Sequence, residues 1–288
     1  MIINPYRYAA ASGNLLLDET NLGSAHVAYS VARKLRDAYS GSAIRVRRSS
    51  DNAEQDIGFI SNALDESSLT TFVGANDGHI VTLYDQSGNG YNATQAEISF
   101  QARIVISGAV TKDNGKPALE VTTSMKYKYT GGGISSQSTA TLMMVAETGA
   151  SDGTSELKSA FSVGSSASYG QPVLGWGEYG VSEAVRKPAA GMYGGQSTVS
   201  SLENTNQVLM ISVTNGTDLG FYENDITELT RTYGTSLSIV DNSVYILEQS
   251  NAFPMGDDYW QEGVIWLADK DAYVSIIKSN VNGFYGIY

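Results

Sequence analysis

Three residues in the middle of the chain have the chemistry of a sugar-binding site: Trp176, Glu178 and Tyr179. Aromatic rings stack on the faces of sugars, and a carboxylate accepts hydrogen bonds from sugar hydroxyls. Their close spacing therefore predicts a small glycan-binding face. In the alternative interpretation, Trp176 is a core residue on one face of a strand and Glu178 lies in a loop. The residues alone leave both interpretations open.

Two polar segments, residues 43–59 and 82–95, contain specific residue patterns that ordinary loops do not have. In the first, Ile44-Arg45-Val46-Arg47 alternates apolar and charged residues, which is typical of a half-buried strand. In the second, the run from Asp85 to Gly90 supplies Gly and Asn for a tight turn. We expect the charged ends of the two segments to meet. We therefore predict ion pairs between arginines and carboxylates that hold the structure together. They join Arg45, Arg47 and Arg48 to Asp51, Asp56 and Asp85.

The turn from Asp85 to Asn92 also has enough oxygen atoms to bind calcium, which takes six to eight of them. Its spacing is not that of an EF-hand loop, and a carboxylate–arginine turn explains the same residues. No other metal site and no cofactor are expected, because the chain has no Cys and only 2 His, at His26 and His79. The sequence has no Gly-x-Ser-x-Gly nucleophile elbow.

A series of motifs resembles the catalytic domain of B-type α-L-arabinofuranosidases in order and spacing. They are Ala28-Tyr29-Ser30, Arg33-Lys34-Leu35, Tyr39-Ser40-Gly41, the arginine-rich strand and Tyr84-Asp85-Gln86-Ser87-Gly88-Asn89-Gly90. The resemblance is dense from Ala25 to Leu119 and only architectural after Ala140. The same block is similar to one in tailed-phage virion proteins, where a laminin-G or concanavalin-like sandwich follows it.

The resemblance implies a retaining glycosidase, which needs two carboxyl groups about 5–5.5 Å apart. The region that corresponds to the family's nucleophile contains Glu178, but in a different sequence context. The segment similar to the one after the family's acid/base Asp is Tyr259 to Val264, and Glu248, Asp257 and Asp258 upstream do not fall on the motif. The family's paired cysteines are also missing. We therefore expect the chain to be non-catalytic.

Composition indicates a globular, β-rich protein. Of the 288 residues 42% are hydrophobic and 17% charged, with 30 Gly and 18 Tyr. The sequence contains no signal-peptide pattern and no apolar run long enough to span a membrane. The net charge is −12, yet basic residues concentrate in the first 50 positions. They could form a patch for an acidic partner, but we favour internal pairing with the carboxylates named above, and binding to nucleic acid is not expected.

The apolar spacing predicts three helices. Ser24 to Tyr39 places Ala28, Val31, Leu35 and Ala38 at helical intervals. Leu64 to Val73 is a shorter helix capped by Asp65, and Asp269 to Asn282 is a helix near the end of the chain. Between the second and third, short alternating segments predict antiparallel strands. The predicted strands are 80–84, 102–106, 116–121, 141–147, 159–163, 171–176, 208–214, 219–223, 243–247 and 263–268.

The first residues predict an assembly arm, 1–22. One domain, 23–288, follows it, and the weakest candidate for a domain boundary inside it is 124–138. An extended Leu15-Leu16-Leu17 cannot bury all three side chains on one surface, because successive side chains alternate sides. We therefore expect the arm to contact a neighbouring chain, unless it coils back over the sandwich. The residues assigned to this arm contact are Tyr6, Arg7, Tyr8, Leu15, Leu16 and Leu17.

The fold class predicted from these patterns is mainly β. We expect an antiparallel concanavalin/laminin-G-like jelly-roll sandwich with an N-terminal arm, one N-terminal helix and a short C-terminal helix. The expected function is that of a virion-associated structural or adhesion protein of a tailed phage, assembled in the host cytoplasm. Its expected partners are other virion proteins, copies of itself and cell-surface glycan, without nucleic acid or membrane. The alternative is an α-L-arabinofuranosidase or a related glycosidase.

Overall fold

The structure is a computed structural model. It describes residues 14–121, 125–134, 137–147, 158–163, 172–177, 187–192, 198–199, 206–225, 229–232, 239, 243–247 and 258–288. The strands are β1 Val27–Ser30, β2 Ile44–Arg48, β3 Glu54–Ile57, β4 Phe59–Ile60, β5 Ala63–Leu64, β6 Gly78–Leu83, β7 Ala93–Thr94, β8 Arg103–Ile106, β9 Ala109–Val110, β10 Lys112–Asp113, β11 Lys116–Pro117, β12 Leu119–Val121, β13 Tyr127–Thr130, β14 Thr139–Glu147, β15 Lys158–Val163, β16 Pro172–Gly177, β17 Lys187–Met192, β18 Thr198–Val199, β19 Val208–Asn215, β20 Asp218–Glu223, β21 Leu229–Thr232, β22 Ser243–Ile246 and β23 Asp258–Trp266. The helices are α1 Glu66–Val73 and α2 Val274–Tyr285.

The strands form two antiparallel layers that pack face to face. One layer packs against α2 and is called the helix-side layer. In it, β14 lies between β19 and β23, and β20 and β21 continue the sheet beyond β19. Strands β1 and β12 pair with the other side of β23. The opposite layer runs from β17 through β16, β15, β22, β13, β7 and β6 to β2 and β3. The mainly antiparallel sandwich predicted from the sequence is confirmed.

Two buried clusters hold these layers. The inner cluster fills the space between the sheets and includes Leu142, Met144 and Trp260. The outer cluster lies under α2 and takes Met143 and Val145 from the opposite face of β14. Because β14 is buried on both faces, it reads as a continuous apolar run.

The two helices predicted from caps and spacing in the later parts of the chain are confirmed. Asp65 caps α1 by accepting a hydrogen bond from Ser68 N at 3.0 Å. In α2, Val274, Ile277 and Val281 are buried against the outer cluster. Asp269 does not cap α2 itself, since it accepts from the Asp271 amide in the 3-10 turn that precedes the helix.

The predicted helix from Ser24 to Tyr39 is wrong. Residues 27–30 form β1, paired along β23 from Val27 opposite Ile265 to Ser30 opposite Glu262. The apolar residues here alternate between two cores: Val27 and Tyr29 enter the inner cluster, whereas Ala28 enters the outer one. Burial on both faces makes a strand look like a helix in sequence, because apolar residues then occur at every spacing.

Residues 14–22 pack on the body of the same chain. Residues 16–18 form a 3-10 turn, and Leu17 N donates to Leu35 O at 2.8 Å. The turn buries Leu16 completely in the outer cluster and leaves Leu15 and Leu17 half-buried. The extended geometry assumed for this leucine triplet is therefore wrong. Tyr6, Arg7 and Tyr8 lie outside the described residues.

Candidate functional site

Several strands of the helix-side layer begin or end at the same end of the sandwich. Glu147, the last residue of β14, pairs with Tyr259 near the start of β23. Ala146 pairs with Val208, the first residue of β19. Glu147, Val208 and Tyr259 therefore lie at the same end of the helix-side layer.

The opposite layer has strand ends at the same end of the sandwich. Lys158, the first residue of β15, pairs with Trp176 near the end of β16, and Leu247 N donates to Ala160 O at 2.8 Å. Two contacts orient the layers. A Cβ added at Gly263 would lie 3.0 Å from the Phe161 ring, and a Cβ added at Gly132, just after β13, would lie 2.9 Å from the His26 ring, just before β1. His26 lies at the end of β23 away from Tyr259, and β22 runs antiparallel to β13, so Leu247 lies at the Tyr259 end. We call this end, where Glu147, Trp176, Leu247 and Tyr259 lie, the Glu147 end.

Among the described residues, the carboxyl groups of Asp113 and Glu147 lie close together at the Glu147 end. Asp113 belongs to the β10–β11 hairpin and is 7% exposed. Burial raises the pKa of Asp113, and burial together with the Asp113 charge raises the pKa of Glu147 to about 7. Asp113 Oδ2 is buried and has no hydrogen-bond partner among the described residues.

Amide side chains surround the carboxyl pair. Gln261 Nε2 donates to the carbonyls of Asp113, Lys116 and Pro117, each at 3.2 Å. Gln207 donates to Gln261 Oε1, which completes a chain of amides from β23 to the residue before β19.

The predicted glycan-binding trio is only partly within the described residues. Trp176 lies in β16, where its backbone pairs with Lys158 and Pro188. Glu178 and Tyr179 follow β16 directly and lie outside the described residues, as do Glu248 and Asp257. Their role as a glycan-binding face stays a prediction.

The arginine-rich strand forms most of the predicted ion pairs, and they are exposed. Arg45 Nε lies 2.7 Å from Glu54 Oε2 and Arg45 Nη1 lies 3.2 Å from Asp56 Oδ1. Arg48 Nη2 lies 2.6 Å from Asp51 Oδ2. Arg47 bonds the amide oxygens of Gln101 and Asn52 instead of a carboxylate.

The predicted pairing of Asp85 with an arginine is wrong. The buried Asp85 carboxylate accepts hydrogen bonds from the amides of Ala28, Ser87 and Tyr91, at 2.9, 2.9 and 3.0 Å, and from the Ser87 hydroxyl at 2.7 Å. Backbone N–H groups satisfy a buried carboxylate as well as a cation does. These N–H and O–H groups already bind the Asp85 oxygens that a calcium ion would need as ligands. The described residues contain no group of three or more metal-ligating side chains.

Sequence reasoning missed the buried ion pair between Arg33 and Glu262. Arg33 donates from Nε at 2.8 Å and from Nη2 at 2.7 Å to the two carboxylate oxygens. Both side chains are buried, and Tyr285 Oη adds a third hydrogen bond at 3.0 Å. The signal was present, because Arg33 lies in the Arg-Lys-Leu motif and Glu262 in the segment similar to the family's Glu-Gly-Val.

This two-layer sandwich is similar in fold to known arabinofuranosidases. An arabinofuranosidase complexed with arabinofuranosyl-α-1,2-xylobiose superposes with a TM-score of 0.72 at 17% identity, covering 90% of this chain and 62% of that chain. A GH54 α-L-arabinofuranosidase soaked with a cyclic sulfate inhibitor gives 0.70 at 15% identity, with the same coverage. This chain therefore spans less than two thirds of the length of these similar proteins.

The sequence matches the family model described as "Alpha-L-arabinofuranosidase B, catalytic" over residues 21–174, more than half of the chain. The chain belongs to this family. No curated protein matches the sequence. Within the described residues, neither the length nor the hydropathy of any helix suffices to span a bilayer.

Family membership corrects two expectations. The virion-associated role is wrong, and so is the expectation that the chain is not an enzyme, because both the family match and the fold point to a glycoside hydrolase family. We expected a non-catalytic chain because the sequence context of the carboxylates near Glu178 and Asp257 differs from the family's motifs. The laminin-G and phage likenesses find no support in these comparisons.

Proposed function

We propose that this chain is a glycoside hydrolase that removes α-L-arabinofuranosyl units from a carbohydrate. The observation that carries the proposal is the family match over residues 21–174. The fold supports it, since the two-layer sandwich extends the likeness well beyond the matched residues, to 90% of the chain.

The proposed active site lies at the Glu147 end. Glu178 follows the last residue of β16. Glu248 and Asp257 lie between β22 and β23 in the sequence, and Asp258 is the first residue of β23. Strand β16 ends and strand β23 begins at this end. A retaining hydrolase needs one carboxylate to attack the anomeric carbon and one carboxyl group to protonate the leaving oxygen. We assign the first role to Glu178 and the second to one of the other three.

Trp176 and Tyr179 are the aromatic residues nearest to Glu178 in sequence. A furanose ring presents C–H groups on one face, which pack well on an aromatic ring, and hydroxyls on its rim. We assign these two side chains to holding the sugar over the nucleophile.

The test is hydrolysis of 4-nitrophenyl α-L-arabinofuranoside by the full chain. We expect turnover, with a loss of at least about a thousandfold in kcat when the nucleophile is removed in Glu178→Gln, because covalent catalysis then has no attacking group. The matched control is Glu54→Gln, which removes an exposed carboxylate on β3 and is expected to leave kcat unchanged.

Single changes Glu248→Gln, Asp257→Asn and Asp258→Asn then identify the acid/base. The variant that lacks it is expected to lose little activity on a substrate with a good leaving group and much more on a natural disaccharide, since only the latter needs protonation. Absence of turnover by the parent on arabinofuranosides, or full activity in Glu178→Gln, would contradict the proposal.

A further inference from the structure

We propose that a polar cleft beside α2 binds an uncharged oligosaccharide and forms a second glycan site, separate from the Glu147 end. The cleft, which we call the α2 cleft, lies between the end of α2, the β4–β5 hairpin and residues 14–19, and has a volume of about 420 Å³. Ligand sites usually have volumes of about 300–1,000 Å³. The polar and aromatic side chains that line it include Asn14, Glu19, Arg33, Asn62, Ser279 and Phe284.

Asn280 holds two sides of the α2 cleft together. Its Nδ2 donates to Asn14 O at 2.8 Å and to Glu19 Oε1 at 2.7 Å. Its Oδ1 accepts a hydrogen bond from Arg33 Nη1 at 2.9 Å. Side-chain hydrogen bonds therefore fix these walls before a ligand arrives, which lowers the entropy cost of binding.

The β4–β5 hairpin forms the rim of the cleft with Ser61 and Asn62. Both residues have positive φ, of +50° and +66°. Lys34 N donates to Asn62 O at 2.9 Å, which fixes the turn against the body of the protein. Serine is uncommon at positive φ, and residues in such conformations cluster at ligand-binding sites. A glycine would form this turn with less strain, so the turn itself does not explain the Ser61 hydroxyl.

The lining offers hydrogen-bonding groups that the fold does not use. The side chains of Asn14, Ser61, Asn62 and Ser279 make no hydrogen bond to another residue in the part of the chain that the structure describes. All four residues are exposed. Amides and hydroxyls both donate and accept hydrogen bonds, as sugar hydroxyls do, so these side chains match the chemistry of a sugar.

The charges that line the cleft favour an uncharged ligand. Arg33 is already paired with the buried Glu262. Lys34 and Glu19 remain, one positive and one negative, and Lys34 Nζ also donates to Asp37 O at 2.8 Å. A phosphate or a sugar acid would be attracted by Lys34 and repelled by Glu19. A neutral oligosaccharide can instead accept hydrogen bonds from Lys34 and donate them to Glu19.

Phe284 gives the cleft an apolar wall. The side chain is half-buried, and two cations lie over its ring: the Arg33 guanidinium carbon is 5.1 Å and Lys116 Nζ is 4.4 Å from the ring centre. These contacts hold the ring in one position. Sugar C–H groups can therefore pack against it with little further loss of side-chain freedom.

The last turn of α2 also connects the cleft to the Glu147 end. The carbonyl of Tyr285, the residue after Phe284, accepts a hydrogen bond from Asn114 Nδ2 at 2.9 Å, and Asn114 belongs to the turn of the β10–β11 hairpin. A polysaccharide held in the cleft therefore lies on the side of the molecule that carries the proposed active site. We infer that the cleft retains polymeric substrate, and this link to hydrolysis rests on the proposed function.

The experiment titrates the full chain with xylotetraose by isothermal titration calorimetry. Xylotetraose is uncharged and carries no arabinofuranosyl unit, so the proposed hydrolase has no bond in it to cleave. We expect saturable binding with a dissociation constant on the order of 1 mM or below. Tetragalacturonate, the charged comparator, is expected to bind at least about tenfold more weakly, because it meets Glu19.

Three variants assign the binding to the cleft. Ser279→Trp fills the cleft from α2 and is expected to weaken xylotetraose binding at least about tenfold. The matched control is Ser275→Trp, one turn earlier on the same helix, at an exposed serine that does not line the cleft, and it is expected to bind as the parent does. Asn62→Gly removes one amide side chain and keeps the positive φ of the turn, and the loss of one ordinary hydrogen bond corresponds to about fivefold weaker binding.

Thermal unfolding midpoints of the three variants, measured alongside, are expected to match the parent because all three residues are exposed. Absence of saturable binding by the parent up to about 10 mM xylotetraose would overturn the proposal. Parent-like binding by Ser279→Trp, or equal weakening in both tryptophan variants, would overturn it too. Tighter binding of tetragalacturonate than of xylotetraose would refute the uncharged ligand.

The binding measurement separates this inference from the proposed function, since it requires no turnover. Binding in the cleft of a chain that hydrolyses no arabinofuranoside would refute the function and leave the cleft as a glycan site. Turnover without xylotetraose binding would refute the cleft and leave the function. If the chain is active, Ser279→Trp is expected to raise KM for arabinoxylan by a larger factor than KM for 4-nitrophenyl α-L-arabinofuranoside. Equal factors would refute the retention of polymeric substrate.

Discussion

Replacing Glu262 by Gln is expected to be among the most damaging single changes outside the proposed active site. The change keeps the shape of the side chain and removes its charge. Arg33, whose side chain is 5% exposed, then keeps a full positive charge without a counter-ion. Two short hydrogen bonds from its Nε and Nη2 currently end on the carboxylate.

The magnitude follows from the burial of both partners. Breaking a buried ion pair by removing one charge costs about 3–5 kcal/mol, because the other charge is left desolvated. Tyr285 Oη also donates to Glu262 Oε2, so one further buried hydrogen bond is weakened. At about 2 °C per kcal/mol, the low end for a chain of this size, the midpoint of thermal unfolding should fall by about 6–10 °C.

The assay is thermal and urea unfolding of Glu262→Gln and of a double-mutant cycle made of Arg33→Met, Glu262→Leu and the double variant Arg33→Met/Glu262→Leu. The double variant is expected to be less damaged than the sum of the single changes, since it leaves no unpaired charge. The matched control is Glu54→Gln, whose partner Arg45 is 40% exposed and whose loss should cost less than about 1 kcal/mol. A free energy of unfolding for Glu262→Gln within 1 kcal/mol of the parent, or strict additivity in the double variant, would refute the reasoning.

Three further changes test other parts of the fold by urea unfolding. Asp85→Ala orphans three buried amide donors and should cost about 3 kcal/mol or more, whereas Asp85→Asn, which keeps one acceptor oxygen, should cost less; equal costs would refute the acceptor role. Leu16→Ala should cost about 2–5 kcal/mol because Leu16 is fully buried, and Leu15→Ala clearly less; similar values would mean that residues 14–22 do not pack on the body. Gly88→Ala should cost about 1–3 kcal/mol, because Gly88 has φ +97° and an added Cβ would lie 2.6 Å from Arg36 Nη1; an unchanged midpoint would contradict this.

Local features of the structure could be predicted from the sequence because they depend on residues close together in the chain. The Asp65 cap and helix α1 arise within one or two turns of backbone. The alternation in β2 reports the burial of Ile44 and Val46 and the partial exposure of Arg45, although Arg47 is also buried. The turn at Asn114-Gly115 uses residues that tolerate positive φ. The resemblance to the family could also be recognised from the sequence, since its motifs are short and contiguous.

The partner of each buried charge was decided only by the tertiary structure. Arg33 and Glu262 are 229 residues apart, and their pairing depends on the register between β1 and β23. The register also explains why the stretch from Ser24 to Tyr39 is not a helix: its apolar residues serve two cores on opposite faces of one strand. Asp113 meets Gln261 for the same kind of reason, because Gln261 Nε2 on β23 donates to the Asp113 carbonyl from 148 residues away. The sequence shows that such charges exist, but only long-range packing decides which of them are removed from water together, and that removal determines their pKa and their energetic weight.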